Sequence, residues 1–412
     1  MKGLRVKGLK VKAGLLGRKL GHSLSPQIHR LFGDYEYRLY EKEPDEIEGF
    51  LRDGFAEGDF DFLNVTIPYK QTVFALCDEL TPMARKLGNV NFVTRTADGG
   101  MRGDNTDAFG VERLIDSVGV DVAGMNCAIL GAGGAAMTVK AVLEERGAKS
   151  VRFVRRGEEP AGDEELIVNA TPVGMWPNAD DVRVDIARYG RCRAVVDLVY
   201  NPSPTRLVRE ARACGKVAAD GMVMLIAQAW RAFELAARTK DERRKTLFLY
   251  GPPASGKSTL AKKIAVATGW KLVDLDAEIV KAAGRSIPEI FAGEGEKGFR
   301  KIEKEVLGGV CTGETPVPQE TPVPQGQAVP SELTVPQGRV VALGGGALLD
   351  PECRKMAERV GRVVVLDCDL TTLKARLTGG DRPLSADVAK LEALVTTRAS
   401  HYASFPRHVK MV

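Results

Sequence analysis

Two glycine-rich turns of different chemistry constrain what this chain can fold into. Gly131-Ala132-Gly133-Gly134-Ala135-Ala136 follows the apolar run Cys127-Ala128-Ile129-Leu130. Gly251-Pro252-Pro253-Ala254-Ser255-Gly256-Lys257-Ser258 follows Thr246-Leu247-Phe248-Leu249-Tyr250. Glycines between a strand and a helix let the backbone approach a phosphate, and the helix N-terminus aims N–H groups at it. The first spacing, Gly-x-Gly-x-x-Ala, suits a dinucleotide pyrophosphate, and the second, Gly-x-x-x-x-Gly-Lys-Ser, a nucleoside triphosphate. Two cradles imply two cofactors and two reactions on one polypeptide.

The spacing of apolar residues supplies the elements around these turns. Strands are expected at Val11–Leu16, Phe60–Ile67, Cys127–Leu130, Val151–Val154, Leu166–Ala170 and Ala194–Val199, with helices opening at Ser25-Pro26 and spanning Asp107–Val118, Met137–Arg146 and Met222–Ala237. This alternation predicts α/β architecture with parallel sheets. The polar stretch Thr239–Lys245 is the expected junction, and a second α/β unit starts at Thr246. Between Arg156 and the next strand only Gly157–Glu165 intervene. A crossover helix needs about ten residues or more, so a loop is expected there. Glu314-Thr315-Pro316-Val317-Pro318-Gln319 repeats at once as Glu320–Gln325. Proline at this density suits neither helix nor sheet, so the segment 312–338 reads as a disordered insertion.

Composition excludes some classes. The net charge of +5 over 412 residues comes from scattered Lys and Arg, which argues against nucleic acid and suits anionic substrates. The seven Cys form no Cys-x-x-Cys pair, against a zinc site or a disulfide framework. No run reaches the ~18 apolar residues of a membrane helix, and Met1–Lys12 has no signal-peptide core. The expectation is a cytoplasmic protein without a membrane partner, and a homodimer is left open.

At the end of the strand after the first cradle, an acidic residue would accept the ribose hydroxyls of NAD. This chain has Arg155-Arg156, which suits the 2′-phosphate of NADP(H). Gly131, Ala132, Gly133, Gly134 and Ala135 are the other candidate contacts. Six further stretches occur in order: His22–Pro26, Asn64–Lys70, Asp104–Asp107, Asn169–Met175, Asp197–Pro202 and Gly221–Gln228. Together with the glycine turn they closely resemble shikimate dehydrogenase over roughly residues 10–238. The resemblance implies a substrate subdomain at about 1–105 plus 221–241 and a Rossmann-like NADP subdomain at about 106–220, within a unit at 1–241. It also implies that Lys70 and Asp107 are the catalytic pair. Ser23, Ser25, Thr66, Asn91, Tyr200 and Gln228 would bind the substrate, 3-dehydroshikimate or shikimate. A purely local alternative for Ser25 is helix capping.

In the P-loop, backbone N–H groups wrap phosphates, Lys257 neutralises charge and the Ser258 hydroxyl reaches Mg²⁺. Gly251, Ser255, Gly256, Lys257, Ser258 and Thr259 are the candidate ATP contacts. Val273–Asp276, Gly284–Phe291, Gly295–Glu303, Gly344–Ala347, Arg382-Pro383-Leu384 and Arg398 then resemble shikimate kinase, over about 246–412. By that resemblance the unit at 245–412 is a P-loop kinase domain with a parallel sheet. Asp276, Arg300, Gly345, Gly346 and Arg398 would bind shikimate, with Asp276 the catalytic base. Asp274 would partner Mg²⁺, Arg382 would reach the transferring phosphoryl group from a lid, and Arg376 would stack on adenine. The family continues past its last strand with an adenine loop and a closing helix. The sequence is expected to lack both, leaving one sheet face bare unless the first half or a second chain covers it.

The reading is a bifunctional enzyme that makes shikimate and then phosphorylates it. Its rivals are a dehydrogenase with a non-catalytic P-loop module, and an NAD-dependent quinate/shikimate dehydrogenase, which Arg155-Arg156 disfavours.

Overall fold

The computed structural model describes residues 11–237, 246–313, 338–378 and 388–410. The expected junction at 239–245, Arg382, and all of the proline-rich insertion except Thr312, Gly313 and Gly338 lie outside the described residues.

The first sheet is built from β1 (Lys12–Gly17), α1 (Ser25–Phe32), β2 (Glu36–Glu41), α2 (Ile47–Glu57), β3 (Phe62–Val65), α3 (Lys70–Leu76), β4 (Glu79–Leu80), α4 (Pro82–Leu87), β5 (Phe92–Arg95) and β6 (Met101–Asp104). Its strand order is β2-β1-β3-β5-β6-β4. Parallel pairing was the expectation, yet β5 runs antiparallel to both β3 and β6. The cause is local. Asp98-Gly99-Gly100 makes a tight turn, with Thr96 N–H bonded to the Gly100 carbonyl at 2.9 Å, so β5 and β6 form a hairpin without a crossover helix.

Helix α5 (Asp107–Asp116) leads into a second sheet made of β7 (Asn126–Leu130), α6 (Gly134–Glu145), β8 (Ser150–Val154), β9 (Leu166–Asn169), β10 (Ala194–Asp197), α7 (Arg206–Ala213) and β11 (Val217–Ala219). All pairs are parallel, in the order β11-β10-β9-β7-β8. Residues 155–165 carry no helix, as their number dictates. The loop is fastened by Glu164, which accepts N–H groups from Ala161 at 2.7 Å and Gly162 at 2.8 Å and pairs with Arg152 at 2.6 Å. Helix α8 (Met222–Ala237) then returns across α5 and α1.

The third sheet contains β12 (Thr246–Tyr250), α9 (Lys257–Thr268), β13 (Lys271–Asp274), α10 (Leu275–Ala283), α11 (Ile287–Thr312), β14 (Arg339–Ala342), α12 (Pro351–Val360), β15 (Arg362–Asp367), α13 (Leu370–Thr378), α14 (Val388–Ala403) and β16 (His408–Lys410). It is parallel, in the order β13-β14-β12-β15-β16. Strand alternation splits its side chains between two cores. Phe248, Tyr250, Val341, Val363 and Val365 face α10, α11, α12 and α14. Leu247, Leu249, Val340, Val364, Leu366 and Val409 face the other way, into one continuous core with α9, α1, α5 and α8. The face expected to be bare is thus covered by helices of the first half.

Aromatic packing seals this junction. Trp270, just past α9, meets Trp230 of α8 edge-to-face at 4.8 Å between centroids, and Phe32 of α1 at 6.2 Å. At its rim, Asp34 accepts a hydrogen bond from Arg362 at 2.7 Å and two from Arg407, both at 2.6 Å. Burial works to raise the Asp34 carboxyl pKa, but the two guanidinium groups outweigh it and hold it below its ordinary value. Its contribution to the junction is therefore present above the ordinary carboxylate range and lost as acid protonates it.

Because one core spans both halves, the described fold should unfold in a single calorimetric transition near neutral pH. Trp270→Ala should lower that transition as a whole, at a cost of about 3–5 kcal/mol. Two separate transitions, with only the later half displaced, would contradict a shared core.

Candidate active sites

Lys70 opens α3 and Asp107 opens α5, just beyond the C-terminal ends of β3 and β6. Antiparallel β5 between those two strands puts both ends on the same edge of the sheet. The side chains meet there, Lys70 Nζ to Asp107 Oδ2 at 2.5 Å, and both are partly buried. Asn91 Nδ2 donates to the other oxygen of Asp107 at 2.8 Å, while Asn91 Oδ1 accepts the Thr106 N–H at 2.7 Å. Asn105 Oδ1 accepts the N–H groups of Asp107 and Ala108 at the start of α5. The carboxylate is thereby held at both oxygens, by Lys70 and Asn91, and its backbone by Asn105, with the lysine its charged partner.

Thr66 sits at the same edge, its N–H bonded to Leu16 at 2.9 Å. Ser23 and Ser25 follow β1. Ser25 does not cap α1: the cap position is Leu24, without a side-chain bond. The Ser23 hydroxyl instead accepts the Ser25 N–H at 3.2 Å. Gln228 lies on α8 where that helix crosses Gly110 of α5, one turn beyond Asp107; a methyl at Gly110 would come within 3.4 Å of the Gln228 Cβ. Tyr200 stands on the loop after β10, its hydroxyl pKa raised by burial.

Asn64 opens the Asn64–Lys70 stretch, and sequence alone assigns it no role. It is buried, accepts the Tyr37 hydroxyl at 2.9 Å, and its amide nitrogen has no partner among the described residues. Tyr37 stacks on His29 at 4.1 Å, and burial lowers the His29 pKa to about 3, so that ring is neutral at neutral pH.

In the first cradle, Gly131 has φ 104°, and a Cβ there would lie 2.9 Å from Thr171. Nothing lies within 4 Å of the Cβ positions of Gly133 and Gly134, so the start of α6 is open to a ligand, with Ala132 and Ala135 beside it. The first N–H groups of a helix have no partners within it. These features fit a pyrophosphate. Arg155 and Arg156 are exposed beyond β8. The Arg155 backbone is held by Glu158 at 2.8 Å and by Arg183 at 2.7 Å. Behind the cradle, Asp197 binds Asn169 at 2.9 Å and Thr205 at 2.7 Å, and burial pushes its pKa up to about 6.

In the second cradle, Gly256 takes φ 90° to start α9. Lys257 Nζ donates to the carbonyls of Gly251 at 2.9 Å and Pro252 at 2.7 Å, folding back over the loop as a phosphate-facing ammonium can. Ser258 donates to Asp274 at 3.0 Å, so the two candidate Mg²⁺ groups are adjacent, with Thr259 next on the helix. Among the described residues no group of three or more His, Cys, Asp or Glu could itself hold a metal. The ion would rest on these two groups and on phosphate oxygens.

The residues expected to hold the acceptor gather around Gly344-Gly345-Gly346. A methyl on Gly344 would lie 3.2 Å from Asp276 and 3.1 Å from Glu303. One on Gly346 would strike the Arg300 guanidinium at 2.5 Å, so only glycine lets Arg300 lie there. Arg398 and Tyr402 both donate to the Gly345 carbonyl, at 3.2 and 2.7 Å. Glu303 pairs with Arg300 at 2.5 Å, while its second oxygen is buried without a hydrogen bond. Burial raises its pKa. Its i,i+3 spacing from Arg300 on α11 was the available sign of this role.

Arg376, expected to stack on adenine, lies against the P-loop. It donates to the Ser255 carbonyl at 3.2 Å and flanks Gly256. Arg376 ends up there because α13 follows β15, whose Leu366 abuts Gly251 of the P-loop.

Comparison with known proteins places both halves. The shikimate dehydrogenase substrate binding domain model matches residues 15–93, and the shikimate kinase model matches 253–317 and 325–411. Shikimate dehydrogenase (NADP(+)) of Methanopyrus kandleri is 38% identical over 258 residues, covering 54% of this chain and 88% of the relative. A chorismate mutase/shikimate 5-dehydrogenase fusion protein from Clostridium acetobutylicum superposes with a TM-score of 0.52 at 32% identity, over 57% of this chain and 94% of that one. The Thermus thermophilus shikimate 5-dehydrogenase, solved in complex with NADP(H) and shikimate, gives 0.51 at 29%, over 56% and 94%. The chain belongs to the shikimate dehydrogenase family and carries, behind that dehydrogenase, a shikimate kinase domain.

Proposed function

We propose that this chain is a bifunctional, cytoplasmic enzyme of the shikimate pathway. The first half reduces 3-dehydroshikimate to shikimate with NADPH, and the second converts shikimate to shikimate 3-phosphate with ATP and Mg²⁺. The observation that carries the reading is the Lys70–Asp107–Asn91 constellation on the same chain as a P-loop opposed by Asp276, Arg300 and Arg398. The product of the first reaction is the acceptor of the second. Among the described residues no helix is long and apolar enough to cross a membrane, in keeping with small-molecule chemistry in solution.

Bound NADPH supplies the hydride. Lys70 hydrogen-bonds the substrate carbonyl oxygen as it gains negative charge and delivers a proton to it. Asp107 keeps that ammonium aimed, and Asn91 keeps Asp107 aimed. Ser23, Ser25, Thr66, Tyr200 and Gln228 hold the ring hydroxyls and carboxylate, and the free amide of Asn64 is a further donor. Arg155 and Arg156 receive the 2′-phosphate.

In the kinase half, bound MgATP supplies the phosphoryl group. Arg300 and Arg398 bind the acceptor carboxylate, Gly345 and Gly346 form its floor, and Asp276 takes the hydroxyl proton. Lys257 leaves the Gly251 and Pro252 carbonyls for phosphate oxygens. Arg376 stands where it meets the phosphates, and Arg382 supplies a second cation from the lid.

Lys70→Ala should lower dehydrogenase kcat by ~10²-fold or more with the fold unchanged by circular dichroism. Near-normal turnover would remove Lys70 from the chemistry. Neutralising Arg155 and Arg156 together should raise KM for NADPH more than for NADH, and equal use of both cofactors by the native chain would count against the 2′-phosphate assignment. Shikimate-dependent ADP release by the intact chain tests the second activity. Asp276→Asn should reduce it ~10²-fold, while complete absence in the native chain would leave the P-loop domain as a binding module.

A further inference from the structure

The P-loop helix reaches into the dehydrogenase. Lys263, on the second turn of α9, extends its ammonium to Ser203 Oγ at 2.7 Å and to both oxygens of Asp220 at 2.9 and 3.0 Å. Ser203 lies on the loop after β10, three residues past Tyr200. Asp220 lies between β11 and α8, the helix that carries Gln228. Ser203 also donates to Asp220 at 2.9 Å, and Asp220 accepts the Met222 N–H at 3.1 Å at the start of α8. The two segments are pinched together beside this contact. Gly221 N–H bonds the Val199 carbonyl at 2.9 Å, and a Cβ on Gly221 would overlap the Leu198 carbonyl oxygen.

The Asp220 side chain is 2% exposed, so its charge needs a partner within the protein. Among the described residues Lys263 is the cation within ion-pair distance. One ammonium from the second half therefore closes the knot that joins two substrate-bearing segments of the first half. We propose that Lys263 is a positioning residue for the dehydrogenase, holding the Tyr200 loop and the start of α8 in register so that shikimate binding in the first half depends on a side chain of the second. This rests on the assignment of Tyr200 and Gln228 to the dehydrogenase substrate.

The same helix presents Lys257 and Ser258 at its N-terminus, about 9 Å of helix rise from Lys263. Lys263 points away from the cradle and into the dehydrogenase, so its loss should act on shikimate and spare the nucleotides. The angle at which α9 crosses α8 is also fixed by the aromatic packing of Trp270 and Trp230, which keeps the Lys263 ammonium over the knot.

The test is steady-state kinetics of the full chain as Lys263→Met, Lys263→Arg and Tyr200→Phe. Lys263→Met should raise the dehydrogenase KM for shikimate about 5- to 10-fold, the size expected for a lost positioning contact. The KM for NADP⁺ and the kinase KM for ATP should stay within about twofold of native values. Lys263→Arg should recover most of the shikimate affinity, since it restores the charge and its donors. Because Lys263→Met strands a buried carboxylate, Lys263→Met/Asp220→Asn is measured beside it. That pair removes the charge problem and the tether alike, and its shikimate KM should remain raised. An unchanged shikimate KM in the folded double variant, or an equal loss on every substrate, would overturn the proposal. If Tyr200→Phe raises the shikimate KM while the Lys263 variants do not, the tether is wrong and the site stands. If none of them moves it, the site assignment falls and the proposal with it.

Discussion

The apolar face formed by Leu247, Leu249, Val340, Val364, Leu366 and Val409 governs this molecule. A parallel sheet must be covered on both sides. On one side α10, α11, α12 and α14 do so from within the second half. On the other, α9 alone is too narrow, and α1 and α8 of the dehydrogenase complete the layer. The orientation of the two halves follows from that requirement, as do the Trp270–Trp230 contact, the Asp34 ion pairs and the reach of Lys263 toward Asp220. The helix that opens on the P-loop is thus also the wall against which the dehydrogenase packs.

Much of this was legible because its signals are local. Each glycine turn sits between a strand and a helix within a few residues, and the alternation of Leu247, Phe248, Leu249 and Tyr250 announces a strand buried on both faces. The motifs holding Lys70 and Asp107 are 37 residues apart, and their meeting followed from family likeness rather than from spacing. The missing crossover helix after Arg156 followed from simple length. The antiparallel β5 does not follow from the general alternation of strand and helix, because its cause is the local Asp98-Gly99-Gly100 turn.

The pairings across the junction left no such trace. Asp34 finds Arg407 across 373 residues, and Lys263 finds Asp220 across 43. A surface lysine on an ordinary helix looks the same in sequence whether it meets water or a buried carboxylate. Arg376 shows the same limit. Its bond to the Ser255 carbonyl follows from the seating of α13 beside the P-loop, which no local pattern announces. Glu303 and Asn64 lay inside recognised motifs, and only three-dimensional burial exposed their unpartnered atoms.

One connection on the far side of the kinase sheet has a practical consequence. Arg339, the first residue of β14, bonds the Val310 carbonyl near the end of α11 at 2.5 Å and the Thr246 hydroxyl at 3.1 Å, while Gly338 is pressed against the Trp270 indole. Both flanks of the proline-rich repeat are therefore anchored to the body through described residues. With α11 and β14 held by these contacts, a backbone cut between residues 313 and 338 is expected to leave two fragments that remain associated. The interval between Gly313 and Gly338 is therefore where the protein is best tried as complementing halves or with an inserted reporter.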